Sequence, residues 1–164
     1  MPARSTDGVA DPATIKEPPP AADAASDYRL DDQIGHLLRR VSQQASANLA
    51  TRLADHGLTT AQYVVLARLA ETGAASQNQL GRLVAMEPAN IHGIVGRLGE
   101  RGLVTTAPDP TDRRRLLVSL TGLGTRLIHQ VRPIAADASA ATLAPLAEAE
   151  RKTLIALLRR LLTE

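Results

Sequence analysis

The chain has 164 residues and a net charge of +2, with no cysteine, phenylalanine or tryptophan and only Tyr28 and Tyr63 as aromatics. That length suits one domain of ordinary size, and the missing cysteines exclude disulfides, thiolate metal sites and thiol-based oxidant sensing. A core without aromatic bulk has to be assembled from Leu, Val, Ile and Ala, a set of residues that favours packed helices.

Residues 1–27, MPARSTDGVADPATIKEPPPAADAASD, are rich in Pro, Ala and Asp and show no sustained apolar period. This is the composition of a disordered tail, placed at 1–29. Residues 1–27 hold two basic and five acidic side chains, so they carry −3 and the rest of the chain +5. A basic body points to a polyanionic partner. No apolar run approaches 18 residues and no apolar signal core is present, which predicts a cytoplasmic protein that engages no membrane.

From Leu30 the pattern changes. Leu30, Ile34, Leu37, Leu38, Val41, Ala45, Leu49 and Leu53 recur at helical steps, with Asp31 and Asp32 in the first turn and Gly57 at the end. They predict one long amphipathic helix. Thr59 or Thr60 caps a second helix that stops at Gly73, and Ser76 caps a short third, SQNQLGRLVA. Pro88 suits the first turn of a fourth helix, 88–101, whose buried stripe is Ile91, Ile94, Val95 and Leu98 and which Gly102 ends. LVTT (103–106) and RLLVSL (115–120) then read as two strands of a hairpin turned at Asp109 and Pro110. Thr121 caps a fifth helix that Pro133 is expected to kink or interrupt. After a break at Ala144–Pro145, AEAERKTLIALLRRLL forms a sixth, with Leu154, Ile155, Leu158, Leu161 and Leu162 on one face.

Helix, turn, helix and then an arginine-tipped hairpin is the order of a winged helix-turn-helix. The fourth helix would offer its N-terminal half to the major groove, which makes Pro88, Ala89, Asn90, His92, Gly93 and Arg97 the candidate DNA face. Asn90 and His92 can hydrogen-bond base edges. The wing DPTDRRR crowds three arginines onto a turn, where they repel one another and have no core to join. An anionic partner resolves this: Arg114 would enter the minor groove, and Arg113 and Arg115 would meet the flanking phosphates. Asp112, two residues before Arg114, is expected to pair with its guanidinium and orient it.

Catalysis finds no candidate. The four histidines, His36, His56, His92 and His129, show no His-x-x-x-His spacing and no paired carboxylate nearby. TGLGTR holds a Gly-x-Gly but lacks the third glycine and the βαβ unit of a dinucleotide site. No catalytic residue, metal ligand or cofactor is therefore assigned. A reading from another class stays open, a DNA-independent helical protein-interaction module in which RRLL (159–162) packs against a partner. Specific binding that falls steeply with salt separates DNA recognition from such a module.

In combination, MEPANIHGIVGRLGERGLV (86–104), DPTDRRRLLVSLTGLG (109–124) and the long flanking helices resemble the MarR family of transcriptional regulators. In that family the Asp-x-Arg of the wing corresponds to Asp112 and Arg114, and the LT-x-x-G to Leu120, Thr121 and Gly124. The resemblance implies a fold that is mainly α with a small β-hairpin, a winged helix-turn-helix at about 59–120 within a domain at 30–164. Helices at about 30–56 and 121–163 would interleave in an obligate homodimer, so that two recognition helices read a palindromic operator in double-stranded DNA. LDDQIGHLLRRVSQQ further resembles members that control catabolism of aromatic acids and their coenzyme A thioesters. The resemblance thus implies a ligand-responsive repressor released by a small anionic effector. Its pocket would lie between the dimer helices and the DNA-binding lobe, with His36, Arg39, Arg40 and Tyr63 as the polar groups for a carboxylate.

Overall fold

The computed structural model describes residues 28–162. All but the last two residues of the expected tail, 1–29, lie outside them. The described residues fall into two units, 28–37 and 38–162.

In the first unit, Leu30–Asp32 form a single 3-10 turn closed by the Gln33 N–H on the Leu30 carbonyl, 3.0 Å. Gln33 is extended, at φ −79° and ψ 123°, and α1 (Ile34–Leu53) begins after it. The single helix expected from Leu30 is therefore broken near its start. The short acidic side chains of Asp31 and Asp32 favour a turn over a helix interior, and the Gln33 side chain occupies the Arg29 carbonyl at 3.2 Å.

The second unit is built around a cluster of aliphatic side chains in which Leu53, Val65, Leu66, Leu80, Ile91, Leu98, Val118, Ile128 and Val131 are all but inaccessible to solvent. Helix α2 (Thr60–Thr72) is capped by Thr59, whose hydroxyl accepts the Gln62 N–H while the Gln62 side chain accepts the Thr59 N–H. This reciprocal box satisfies two otherwise orphaned donors. Strand β1 (Ala75–Ser76) leads into α3 (Gln77–Leu83), followed by α4 (Pro88–Glu100), β2 (Val104–Pro108), β3 (Leu116–Leu120), α5 (Gly122–Thr142) and α6 (Glu148–Leu161).

The sheet has three antiparallel strands in the order β1-β3-β2, not the two of the expected hairpin. Ala75 pairs with Val118 and Ser76 with Leu117, whereas Val104 pairs with Leu120 and Pro108 with Leu116. A two-residue strand has no periodicity to read, so β1 exists only through its partner. Pro133 also departs from expectation, because α5 runs through it without interruption. The proline is solvent-exposed, where a missing backbone hydrogen bond is least costly. In α6 the Glu150 carboxylate accepts the Ala147 N–H at 2.7 Å and closes the helix start. No residue of α6 is fully buried.

Candidate nucleic-acid interface

The two helices of the motif meet through a tight turn. The Met86 N–H reaches the Gly81 carbonyl at 2.9 Å, and Ala85 takes a positive φ of 52°. A Cβ at Gly81 would sit 3.0 Å from the Met86 carbonyl oxygen, a tight fit that glycine avoids. Pro88 then opens α4, where its missing N–H costs nothing. Ile91, Ile94, Val95 and Leu98 are buried against the core. The opposite edge leaves Pro88, Ala89, Asn90, His92 and Arg97 exposed and Gly93 half-buried.

Two of these side chains lie against neighbours. The Arg97 guanidinium folds back over Gly93, its Nη1 lying 3.4 Å from where a Cβ would stand. His92 Nδ1 lies 3.3 Å from Oε1 of Gln77, at the start of α3. Gln77 was not legible as a site residue, since nothing local in the sequence links it to a side chain on the next helix.

The wing turns on Asp109, a buried carboxylate that accepts both the N–H and the hydroxyl of Thr111, at 2.8 and 2.6 Å. These bonds, the hydroxyl's first, hold its carboxyl below the ordinary carboxylate range. Its backbone N–H also meets the Arg115 carbonyl at 2.9 Å, and its Oδ2 lies 4.0 Å from Arg115 Nε. Asp112 does not do what was expected of it. Its Oδ1 accepts the backbone N–H of Arg114 at 3.0 Å rather than the guanidinium. The carboxylate thus shapes the turn, and the side chain of Arg114 is left exposed. Of Arg113, Arg114 and Arg115, only Arg115 is ion-paired among the described residues.

The base of the wing is locked. The Thr121 hydroxyl donates to the Gly102 carbonyl at 2.6 Å and accepts the Gly124 N–H at 3.1 Å, which caps α5. A Cβ on Gly124 would overlap the Leu103 carbonyl oxygen. Leu120, Thr121 and Gly124 therefore weld the second wing strand to α5 and to the end of α4.

The expected effector groups are placed less decisively. His36 lies 3.7 Å from Asp31 within the first unit. Arg39 and Arg40 are exposed on α1. Tyr63 is half-buried on α2 within reach of Arg132 and Glu71; burial raises its hydroxyl pKa, and the nearby Arg132 partly offsets this. Glu71 in turn pairs with Arg68 at 2.9 Å and with Arg132 at 3.7 Å. Among the described residues no cluster of His, Cys, Asp or Glu is arranged to hold a metal ion, and no helix is long and apolar enough to cross a membrane.

The MarR family profile matches residues 56–115, from the turn before α2 to the end of the wing turn. The HTH-type transcriptional repressor NicR of Pseudomonas putida is 38% identical over 135 residues, spanning 82% of this chain and 85% of NicR. A probable transcriptional regulator from Pseudomonas aeruginosa is 48% identical, with a TM-score of 0.72 over 81% of this chain and 99% of its own. Bordetella bronchiseptica BpsR, whose DNA binding is regulated by 6-hydroxynicotinic acid, is 36% identical, with a TM-score of 0.78 over 84% of this chain and 98% of its own. With a helix-turn-helix, an arginine wing and relatives similar over most of their length, the chain belongs to the MarR family of transcriptional regulators.

Proposed function

We propose that the chain is a transcriptional repressor that binds a palindromic operator as a homodimer and is released by a small anionic aromatic effector. One observation carries the DNA reading: α4 buries its apolar stripe and turns Pro88, Ala89, Asn90, His92, Gly93 and Arg97 outward, alongside a wing whose Arg113 and Arg114 have no ion pair among the described residues. Asn90 and His92 read base edges, Arg114 enters the minor groove, and Arg113 and Arg115 contact phosphates. The winged part spans about 59–120, and helices at about 30–56 and 121–163 form the dimer. Such a regulator works in the cytoplasm, and its role needs no catalytic residue, metal or cofactor.

The effector class is drawn from BpsR, a relative regulated by an aromatic acid. An aromatic carboxylate, or its thioester, would meet the basic and phenolic groups Arg39, Arg40 and Tyr63.

The deciding experiment is fluorescence anisotropy on duplexes selected from a random pool, with nonspecific competitor and at several salt concentrations. We expect an inverted repeat with half-sites about one helical turn, 10–10.5 base pairs, apart. Arg114→Ala should weaken binding and flatten the salt dependence, whereas Asn90→Ala should cost about 1–3 kcal/mol at particular base pairs. Affinity and salt slope left intact in Arg114→Ala would return the wing to a solvated turn. A chain with no sequence preference at all would favour the protein-interaction module.

A further inference from the structure

Gln77 is the first residue of α3, and the residue before it is held from two sides. Ser76, immediately before it, accepts the Gln79 N–H at 3.3 Å and pairs with Leu117 across β1 and β3. The Gln77 side chain then leaves this anchored point for α4, where Oε1 lies 3.3 Å from His92 Nδ1. Gln77 also shares the wall of a hollow with Arg114, Arg115 and Leu116 of the wing. One residue, fastened to the sheet that carries the wing, therefore touches the exposed imidazole of the candidate recognition helix.

In the orientation that turns the Gln77 amide oxygen to the ring, the nitrogen facing it must carry the proton, because an amide oxygen only accepts hydrogen bonds; in a neutral imidazole the other nitrogen is then an acceptor. We propose that Gln77 is a specificity-determining positioning residue. It keeps the proton on His92 Nδ1 and thereby presents Nε2 as an acceptor to the major groove. An acceptor there selects a base with an exocyclic amino group, N4 of cytosine or N6 of adenine. Guanine offers only N7 and O6 acceptors on that edge, and thymine only O4 and a methyl group. The opposite tautomer would donate instead and reverse the preference. This inference rests on the reading that α4 enters the major groove.

The test uses the full chain and duplexes recovered by selection from a random pool, at pH 8. Wild type, Gln77→Ala, Gln77→Glu, His92→Ala, the double alanine variant and Arg114→Ala are titrated with the consensus duplex and each single base-pair variant. Gln77→Ala and His92→Ala should each lose about tenfold discrimination at one shared position per half-site, and the double variant no more. Gln77→Glu, whose carboxylate also accepts from Nδ1, should restore that discrimination while weakening all duplexes alike. Long-range correlation spectra of 15N-histidine protein should show the proton on Nδ1 in wild type and Gln77→Glu, and redistributed in Gln77→Ala at an unchanged melting temperature. Full discrimination in Gln77→Ala, or an equal loss at every position, overturns the proposal. A wild type that selects no consensus, with Arg114→Ala binding as well as wild type, overturns the DNA reading and this proposal with it.

Discussion

Asp109 and Asp112 sit three residues apart on the wing, and each spends its carboxylate on the turn itself. Asp109 is the more constrained, buried and holding both donors of Thr111. Because those donors stabilise the charged form, its pKa in the folded protein is depressed. A depressed carboxylate contributes stability in full above its unfolded pKa and loses it as pH falls through the folded value. The difference in melting temperature between wild type and Asp109→Asn should therefore hold steady at neutral pH and close below about pH 4. Circular dichroism melts at pH 7, 5 and 3 check this; a gap still fully open at pH 3 would mean that the charge on Asp109 does not stabilise the wing. Arg114 is served indirectly, since Asp112 sets its backbone and leaves the guanidinium exposed.

The α-helices among the described residues are not equally finished. Helix α4 buries four apolar side chains and exposes a polar edge, as a helix docked on a core and facing a ligand should. Helix α6 has the same amphipathic pattern but leaves Leu157 and Leu161 exposed at 48% and 70%. On α1, Leu38 and Val41 are exposed as well. Apolar faces of this kind mark association surfaces, which supports the dimer we propose. Leu157→Glu combined with Leu161→Glu should convert a dimer to a monomer in sedimentation velocity and weaken operator binding, because the second half-site is lost with the partner. A dimer of unchanged stability would move the interface away from α6.

For the whole molecule the question is how an effector releases DNA. A ligand shifts that equilibrium only by preferring a spacing of the two recognition helices that mismatches the operator, so its effect is capped by that difference in affinity. Linkage then makes the effect reciprocal. In calorimetric titrations with a series of aromatic carboxylates, operator DNA should weaken the ligand by the same factor by which the ligand weakens the operator. Arg40→Ala and Tyr63→Phe should reduce ligand affinity without changing operator affinity in its absence. Ligand affinity that ignores the operator would refute release by this route.

Local rules were enough to recognise much of this protein from its residues alone. The caps at Thr59, Ser76 and Thr121, the buried stripe of α4 and the proline that opens it all depend on neighbours within a turn, and all stand where their spacing put them. The family resemblance rested on the same local stretches. Other features depended on groups the chain brings together only when folded. Strand β1 exists because β3 pairs with it; Thr121 closes on Gly102 from 19 residues away, and Gln77 meets His92 across 15. The break at Gln33 and the turn of Asp112 toward a backbone N–H show the same limit at short range, where several partners compete for one polar group. Periodicity reports which face of an element is apolar. Which hydrogen bonds form, and which apolar faces remain open, is decided by the packing that sets the distances between groups.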